Sequence, residues 1–174
     1  YAFLLEALLS YTSKVDLVHP GQFSHWPQRS REIAGMILEK FKDSRQPGFH
    51  LTGETETLLF ARRKEWIDSA MPSGNSSLLH GFSTLYILTG ETAYEDEFIR
   101  LRDTLTHIAS RLPTGVSHAL SALVQEATGI SIVKAGSREA LHTLYPLLQQ
   151  RPWRRLFLQI SEDDPGGHSY QLCT

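Results

Sequence analysis

The spacing of hydrophobic residues along the chain predicts a mainly α-helical protein. In five stretches, apolar residues recur at intervals of three and four, which is the pattern of a helix packed on one face. In the fourth, Thr92 and Glu95 match a T-x-x-E capping box and Pro113 ends the apolar run. The predicted helices cover residues 1–13, about 24–42, about 73–88, 92–112 and about 116–128, so we expect a helical part over residues 1–128.

The first predicted helix is apolar on more than one side. Leu5 and Leu9 lie off its main stripe, so the helix needs neighbours on two faces. We therefore expect either a two-fold dimer that pairs exposed helices or a large apolar patch over residues 1–11. The main stripe consists of Phe3, Leu4, Ala7, Leu8 and Tyr11.

Two parts of the chain depart from the helical period. Residues 48–60 carry paired apolar positions on either side of Gly53-Glu54, which predicts a short β-hairpin. From Gly129 onward, the pattern predicts a small β-α-β-β unit over residues 129–174, with its first two strands parallel and right-handed. Its predicted elements are a strand over 130–134, a helix over 137–149, and strands over 155–160 and 168–173.

Composition excludes several classes of protein. The 174 residues carry a net charge of −2, so nothing indicates binding to nucleic acid or to an anionic membrane. No apolar run reaches the length of a membrane span. The single cysteine, Cys173, excludes an internal disulfide framework and favours a reducing, cytoplasmic location. The chain opens at Tyr1 inside a predicted helix, which favours a fragment of a longer protein and leaves its native targeting open.

The segment 60–77 holds the strongest candidate chemistry. Glu65 and Asp68 are three residues apart and share a face if the segment is helical. Glycoside hydrolysis needs such a carboxylate pair, one as proton donor and the other as nucleophile or base. Glu65 and Asp68 are therefore the candidate catalytic residues. The alternative is a solvated charge run tied together by internal salt bridges.

Polar neighbours of this pair are candidate ligand-binding residues. Arg62 is suited to clamp a carboxylate or phosphate, and Lys64 can act as a point charge or as a tuned base. Ser73 and Asn75 can bind sugar hydroxyls, or only satisfy backbone groups at the start of the next helix. The eight histidines show no H-x-x-x-H spacing, so no metal site is expected, and no cofactor fingerprint is present.

The same segment carries a family resemblance. Its pattern R-x-K-E-x-x-D-x-A-x-P-S-G-N-S resembles the C-terminal part of the spermatogenesis-associated protein 20 type, whose bacterial members are thioredoxin-domain proteins. The stretches YAFLLEALL, GFHLTGE, LTG and SYQLC fit it less specifically. The resemblance implies a thioredoxin-like domain in the full-length chain, followed by an (α/α)6 toroid of the six-hairpin glycosidase and sugar-epimerase type. This chain would supply about five helices of that toroid, one hairpin excursion and the small C-terminal unit.

Two functional hypotheses follow, and whether the chain is an enzyme stays open. The first is part of a carbohydrate-active hydrolase or epimerase, with a sugar bound around the motif residues. The second is a non-catalytic helical scaffold or interaction module that serves a thioredoxin-like domain. A cavity that joins Glu65 and Asp68 to an aromatic wall would favour the first, and carboxylates locked in salt bridges or splayed into solvent would favour the second.

Overall fold

The computed structural model describes residues 1–19, 22, 25–53, 61–148, 155–160 and 171–173. This part of the chain is mainly helical, as the periodicity predicts. The helices are α1 (Ala2–Thr12), α2 (Val15–Val18), α3 (His25–Lys40), α4 (Gly74–Thr89), α5 (Thr92–Ala109), α6 (Ser117–Thr128) and α7 (Arg138–Leu148), with a 3-10 turn at Pro113–Val116. The strands are β1 (Ile130–Ala135), β2 (Arg155–Ile160) and β3 (Gln171–Cys173).

Helix α4 is the centre of the helical part. It contacts α1, α3, α5 and α6, and an apolar cluster forms around it. Phe82 is fully buried between Phe49 and Tyr94, whose ring centroids lie 5.4 and 6.1 Å from its own. Gly81 allows α1 to approach closely, because a Cβ at this position would lie 2.8 Å from Leu5 Cδ2.

Helix α1 turns its predicted off-stripe residues inward. Leu5 and Leu9 are fully buried, whereas Phe3, Leu4 and Tyr11 are 42, 47 and 39 % exposed. Close packing against Gly81 of α4 selects the Leu5 side as the inner face. The exposed apolar side chains of α1 are thus those of the predicted stripe, and the alternatives of a dimer or a large apolar patch stay a prediction.

The C-terminal unit contains the predicted parallel strand pair. Strands β1 and β2 are parallel, with Val133 opposite Leu158, and β3 is antiparallel to β1 on its other edge. A second apolar cluster joins Val133, Leu141 and Leu158 to Leu17 of α2. The first residues of the predicted last strand, 168–170, lie outside the described part, and the domain boundary at 128/129 stays a prediction.

Short polar links tie this unit to the chain after α1. The Leu158 N–H donates to the Ser13 carbonyl at 2.9 Å, and the Ile160 N–H donates to Asp16 Oδ2 at 2.8 Å. Arg138 Nε donates to the Leu17 carbonyl at 3.0 Å. The segment predicted as a loop after α1 therefore forms the short helix α2, which is buried under β2 and α7.

Two other local predictions concern the start of α5 and the segment after α3. The capping box is wrong: Glu91 is the N-cap of α5, so Thr92 is already helical and cannot cap, and no side chain caps this end. Half of the predicted hairpin, residues 54–60, lies outside the described residues. The described half forms single bridges from Phe49 to Lys42 and from His50 to Lys64, and the hairpin itself stays a prediction. No helix in the described ranges has the length and apolar character needed to cross a bilayer.

Candidate functional site

A cavity of about 490 Å³ opens where the starts of α1 and α4 meet the end of α3. Its volume lies in the range of small-molecule pockets. Its wall is largely apolar and includes four aromatic rings, and a few polar side chains converge on it. The aromatic residues are Tyr1, Phe3, Phe41 and Phe49, and the polar ones include His50, Glu65, Ser69 and Asn75.

Glu65 is the carboxylate in this wall. The side chain is half-buried, and within the described part of the chain no donor or cation pairs with its carboxylate oxygens. Its backbone is fixed, because its carbonyl accepts a hydrogen bond from Asn75 Nδ2 at 2.7 Å. A carboxylate held in a cavity with no internal partner is available to a ligand.

Asn75 holds the cavity wall together. It is 2 % exposed, and its amide pairs with the backbone of Phe49 as a neighbouring strand would. Oδ1 accepts from the Phe49 N–H at 2.8 Å, and Nδ2 donates to the Phe49 carbonyl at 3.1 Å as well as to Glu65. Both amide hydrogens are thus used within the protein.

The turn that Asn75 supports requires glycine. Gly48 has φ +90°, and a Cβ there would lie 2.4 Å from the Trp66 ring. The indole of Trp66 therefore packs directly against the backbone of Gly48. This contact fixes the segment before α4 against the turn after α3.

Asp68 lies near the start of α4, where it is half-buried and accepts hydrogen bonds. Oδ1 accepts from the Ser73 N–H at 2.8 Å, and Oδ2 accepts from the His118 N–H at 2.8 Å. It lines a different cavity, of about 330 Å³, together with Ser117, His118 and Ser121. The described residues therefore do not bring Glu65 and Asp68 into one cavity.

Ser73 caps α4, which was one of its two predicted roles. Its Oγ accepts from the Ser76 N–H at 3.1 Å and donates to Ser76 Oγ at 2.9 Å. The side chain is 1 % exposed. Its hydroxyl therefore satisfies the helix end, where backbone N–H groups have no intrahelical partner.

The two basic motif residues bind protein groups behind the cavity. Arg62 donates to the carbonyls of Thr52 and Lys40 at 2.9 Å each. Lys64 Nζ lies 2.7 Å from Asp43 Oδ2 and donates to the Pro47 carbonyl at 2.8 Å. Both contacts connect the motif to the segment after α3.

The same turn carries a strongly perturbed carboxyl group. Asp43 accepts from Lys64 and from the N–H groups of Arg45 and Gln46. Together these donors outweigh burial and hold the pKa of Asp43 well below its usual range. Asp43 is therefore ionised whenever the fold is intact near neutral pH.

A second cluster of titratable groups lies between α1, α4 and α6. Glu6, His80 and His118 each offer one ligand atom, and these atoms lie within 4.8 Å of one another. His118 Nε2 lies 3.1 Å from each oxygen of Glu6. Burial raises the pKa of Glu6, but the hydrogen bond and charge of His118 and the charge of His80 outweigh it, so the pKa lies below its ordinary value.

Comparison with known proteins gives a distant relationship. The chain is 30 % identical over 145 residues to spermatogenesis-associated protein 20 of Rattus norvegicus, and 29 % identical over 145 residues to that of Homo sapiens. The chain is thus similar to spermatogenesis-associated protein 20. Each match covers 82 % of this chain but only 18 % of the relative, so the chain spans less than a fifth of those proteins' length. No protein-family model matches the chain.

Sequence reasoning located the motif but missed the second cluster. Glu6 and His118 are 112 residues apart in the chain, and His80 and His118 are 38 apart. Local ligand spacings such as H-x-x-x-H cannot detect a site assembled from three separate helices. The available signals were Glu6, which is the charged residue of α1, and His80, which is the histidine of α4.

Proposed function

We propose that the aromatic cavity binds a sugar-type ligand and that Glu65 is the acid or base acting on it. The chain would then form the C-terminal part of a thioredoxin-domain-containing, six-hairpin glycosidase-like protein of hydrolase or epimerase type. The observation that carries the proposal is the carboxylate of Glu65, which has no partner among the described residues and lines an apolar cavity of about 490 Å³ with four aromatic rings. The relationship to spermatogenesis-associated protein 20 is compatible with this proposal.

The chemistry of the wall suits a sugar. Aromatic faces pack against the C–H groups of a sugar ring, and a carboxylate accepts hydrogen bonds from its hydroxyls. A carboxyl group within reach of a glycosidic oxygen or ring carbon can also transfer a proton. His50 lines the same cavity and is a further titratable side chain there.

The other motif residues support this cavity in the proposed arrangement. Asp68 acts as a positioning residue, since both its oxygens hold backbone N–H groups outside the cavity. Asn75 shapes the wall that Glu65 occupies. Arg62, Lys64 and Ser73 anchor the segment on either side.

Ligand-observed NMR with a panel of mono- and disaccharides tests the proposal. Wild type should bind at least one sugar, and Glu65→Gln should weaken that binding about tenfold, since one charge-assisted hydrogen bond is worth about 1.5–3 kcal/mol. Glu39→Gln, an exposed position on α3, is the matched control and should leave binding unchanged. If wild type binds no sugar, or if Glu65→Gln binds as well as wild type, the proposal is wrong.

The scaffold hypothesis is the second candidate, and the exposed face of α1 favours it. Tyr1, Phe3 and Leu4 are 57, 42 and 47 % exposed and form an apolar surface suited to a thioredoxin-like domain or to a second copy of this chain. Sedimentation over a range of concentrations tests pairing between copies. Leu4→Ser should reduce association, whereas Leu112→Ser, at an equally exposed leucine, should not. A monomer at all concentrations would exclude the homodimer.

A further inference from the structure

The second cluster has the composition of a metal site. Glu6 comes from α1, His80 from α4 and His118 from α6, and these helices pack on one another. The three ligand atoms lie within 4.8 Å of one another. Because the supporting helices belong to the main apolar core, the packing holds the side chains together.

We propose that Glu6, His80 and His118 form a binding site for a zinc ion. Two imidazoles and one carboxylate are a ligand set of zinc sites that keep an open fourth position. Calcium and magnesium prefer oxygen ligands throughout, so the two histidines disfavour them. This site is separate from the aromatic cavity and does not depend on its proposed function.

Hydrogen bonds fix the tautomer of His80 in a form that can bind a metal. His80 Nε2 lies 2.9 Å from the His118 carbonyl and 3.0 Å from Ser121 Oγ. The Ser121 hydroxyl donates its own proton to the His118 carbonyl at 2.7 Å, so both of these oxygens accept from Nε2. In the neutral imidazole, Nε2 therefore carries the proton and Nδ1 carries the lone pair. Metal-binding histidines commonly donate their second N–H to a carbonyl in this way.

The pair formed by His118 and Glu6 already has the spacing of two ligands of one ion. His118 Nε2 lies 3.1 Å from the Glu6 oxygens, and zinc bonds of about 2.0–2.1 Å place two tetrahedral ligands about 3.3 Å apart. A zinc ion would replace the proton that the imidazole and the carboxylate now share. Binding should accordingly release a proton.

Ser77 is a further polar residue at this site. It precedes His80 by one helical turn, lies beside the Glu6 carboxyl, and is fully buried. A hydroxyl at this position can donate a hydrogen bond to a carboxylate that binds a metal.

The site is also accessible from outside. The side chain of His118 is 25 % exposed and lines the cavity of about 330 Å³ that Asp68 also lines. Asp68 Oδ2 accepts a hydrogen bond from the His118 N–H at 2.8 Å, which fixes the first turn of α6. An ion can enter from this cavity, and a water or ligand can occupy the fourth position.

Titration with Co²⁺, a spectroscopic substitute for zinc, tests the proposal. Wild type should bind one Co²⁺ per chain with visible absorption of a tetrahedral site, and Zn²⁺ should displace it and raise the Tm. Glu6→Gln and His118→Gln should each weaken binding at least tenfold. His107→Gln, at an exposed histidine in the last turn of α5, should bind as wild type does.

Circular dichroism of each variant separates loss of ligands from loss of fold. Glu6→Gln keeps an acceptor for His118, so its helical signal should match that of wild type. Absence of Co²⁺ and Zn²⁺ binding by wild type would overturn the proposal. Binding that survives Glu6→Gln and His118→Gln in folded protein would overturn it too, because the ion would then sit on surface histidines.

Discussion

Helices α1 and α4 have similar apolar sequences but different surroundings. Every residue of α4 from Asn75 to Leu85 is buried, whether polar or apolar. In α1, Leu5 and Leu9 are fully buried while Phe3 and Leu4 remain about half exposed. Helix α4 packs against four long helices, whereas α1 packs against two, α3 and α4, and the short α2. The packing of neighbouring helices therefore decides how much of each apolar helix is enclosed.

Polar residues on a fully buried helix are the places where a helical core can bind a ligand. Complete enclosure of α4 means that each of its polar residues needs a partner, since unpaired buried polar groups are costly. Asn75, Ser76 and Thr84 find theirs within the protein. Ser77 and His80 lie beside Glu6, at the proposed metal site. In α1, by contrast, exposed apolar residues indicate a surface that a partner protein could cover.

The largest expected difference in stability is between alanine substitutions of two phenylalanines, one in α4 and one in α1. Phe82→Ala in α4 should lower the free energy of unfolding by about 3–5 kcal/mol, because it leaves a cavity in a fully enclosed site. Phe3→Ala in α1 should cost less than about 1 kcal/mol, since its ring is 42 % exposed. Urea denaturation followed by circular dichroism measures both. Similar losses for the two variants would show that α1 is covered as completely as α4.

A smaller effect is expected where α4 is anchored. Asp68→Asn should lower the free energy of unfolding by about 1.5–3 kcal/mol, because the amide replaces one of two acceptors that hold Ser73 and His118. Asp96→Asn, on the exposed face of α5, should change it by less than about 0.5 kcal/mol. The same denaturation experiment measures both variants. If both effects are near zero, Asp68 does not anchor this end of α4.

The sequence could predict most of the fold because its signals are local. The apolar period located α4 and α5 to within a few residues, and Ser73 and Gly90 cap the ends of α4 as helix-end rules require. Helix α2 was missed, since a four-residue helix carries no period of its own. Its burial depends on contacts with β2 and α7, which lie more than a hundred residues further along the chain.

The candidate site could be predicted only in part. Glu65 and Asn75 line the same cavity, because residues that are close in the chain and joined by a short segment cannot lie far apart. It could not show that Asp68 turns toward α6, since that depends on the backbone of His118, 50 residues away. The cluster of Glu6, His80 and His118 depends wholly on how three helices pack, which no local spacing encodes.

The smallest expected effect on stability concerns Asp43, which pairs with Lys64 of the motif on the surface of the protein. Its pKa is lowered by Lys64 and by the N–H groups of Arg45 and Gln46, so the folded state favours the ionised form more than the unfolded state does. That stability is fully present above about pH 4, the ordinary range of an aspartate, and is lost as the pH falls toward the lower folded-state pKa. The urea midpoint of wild type should therefore fall more between pH 7 and pH 3 than that of Asp43→Asn, which cannot ionise. Asp96→Asn should keep the wild-type pH dependence. Parallel profiles for wild type and Asp43→Asn would show that this turn contributes no pH-dependent stability, and that the start of α4 is held by Asp68 and Asn75 without help from the ion pair.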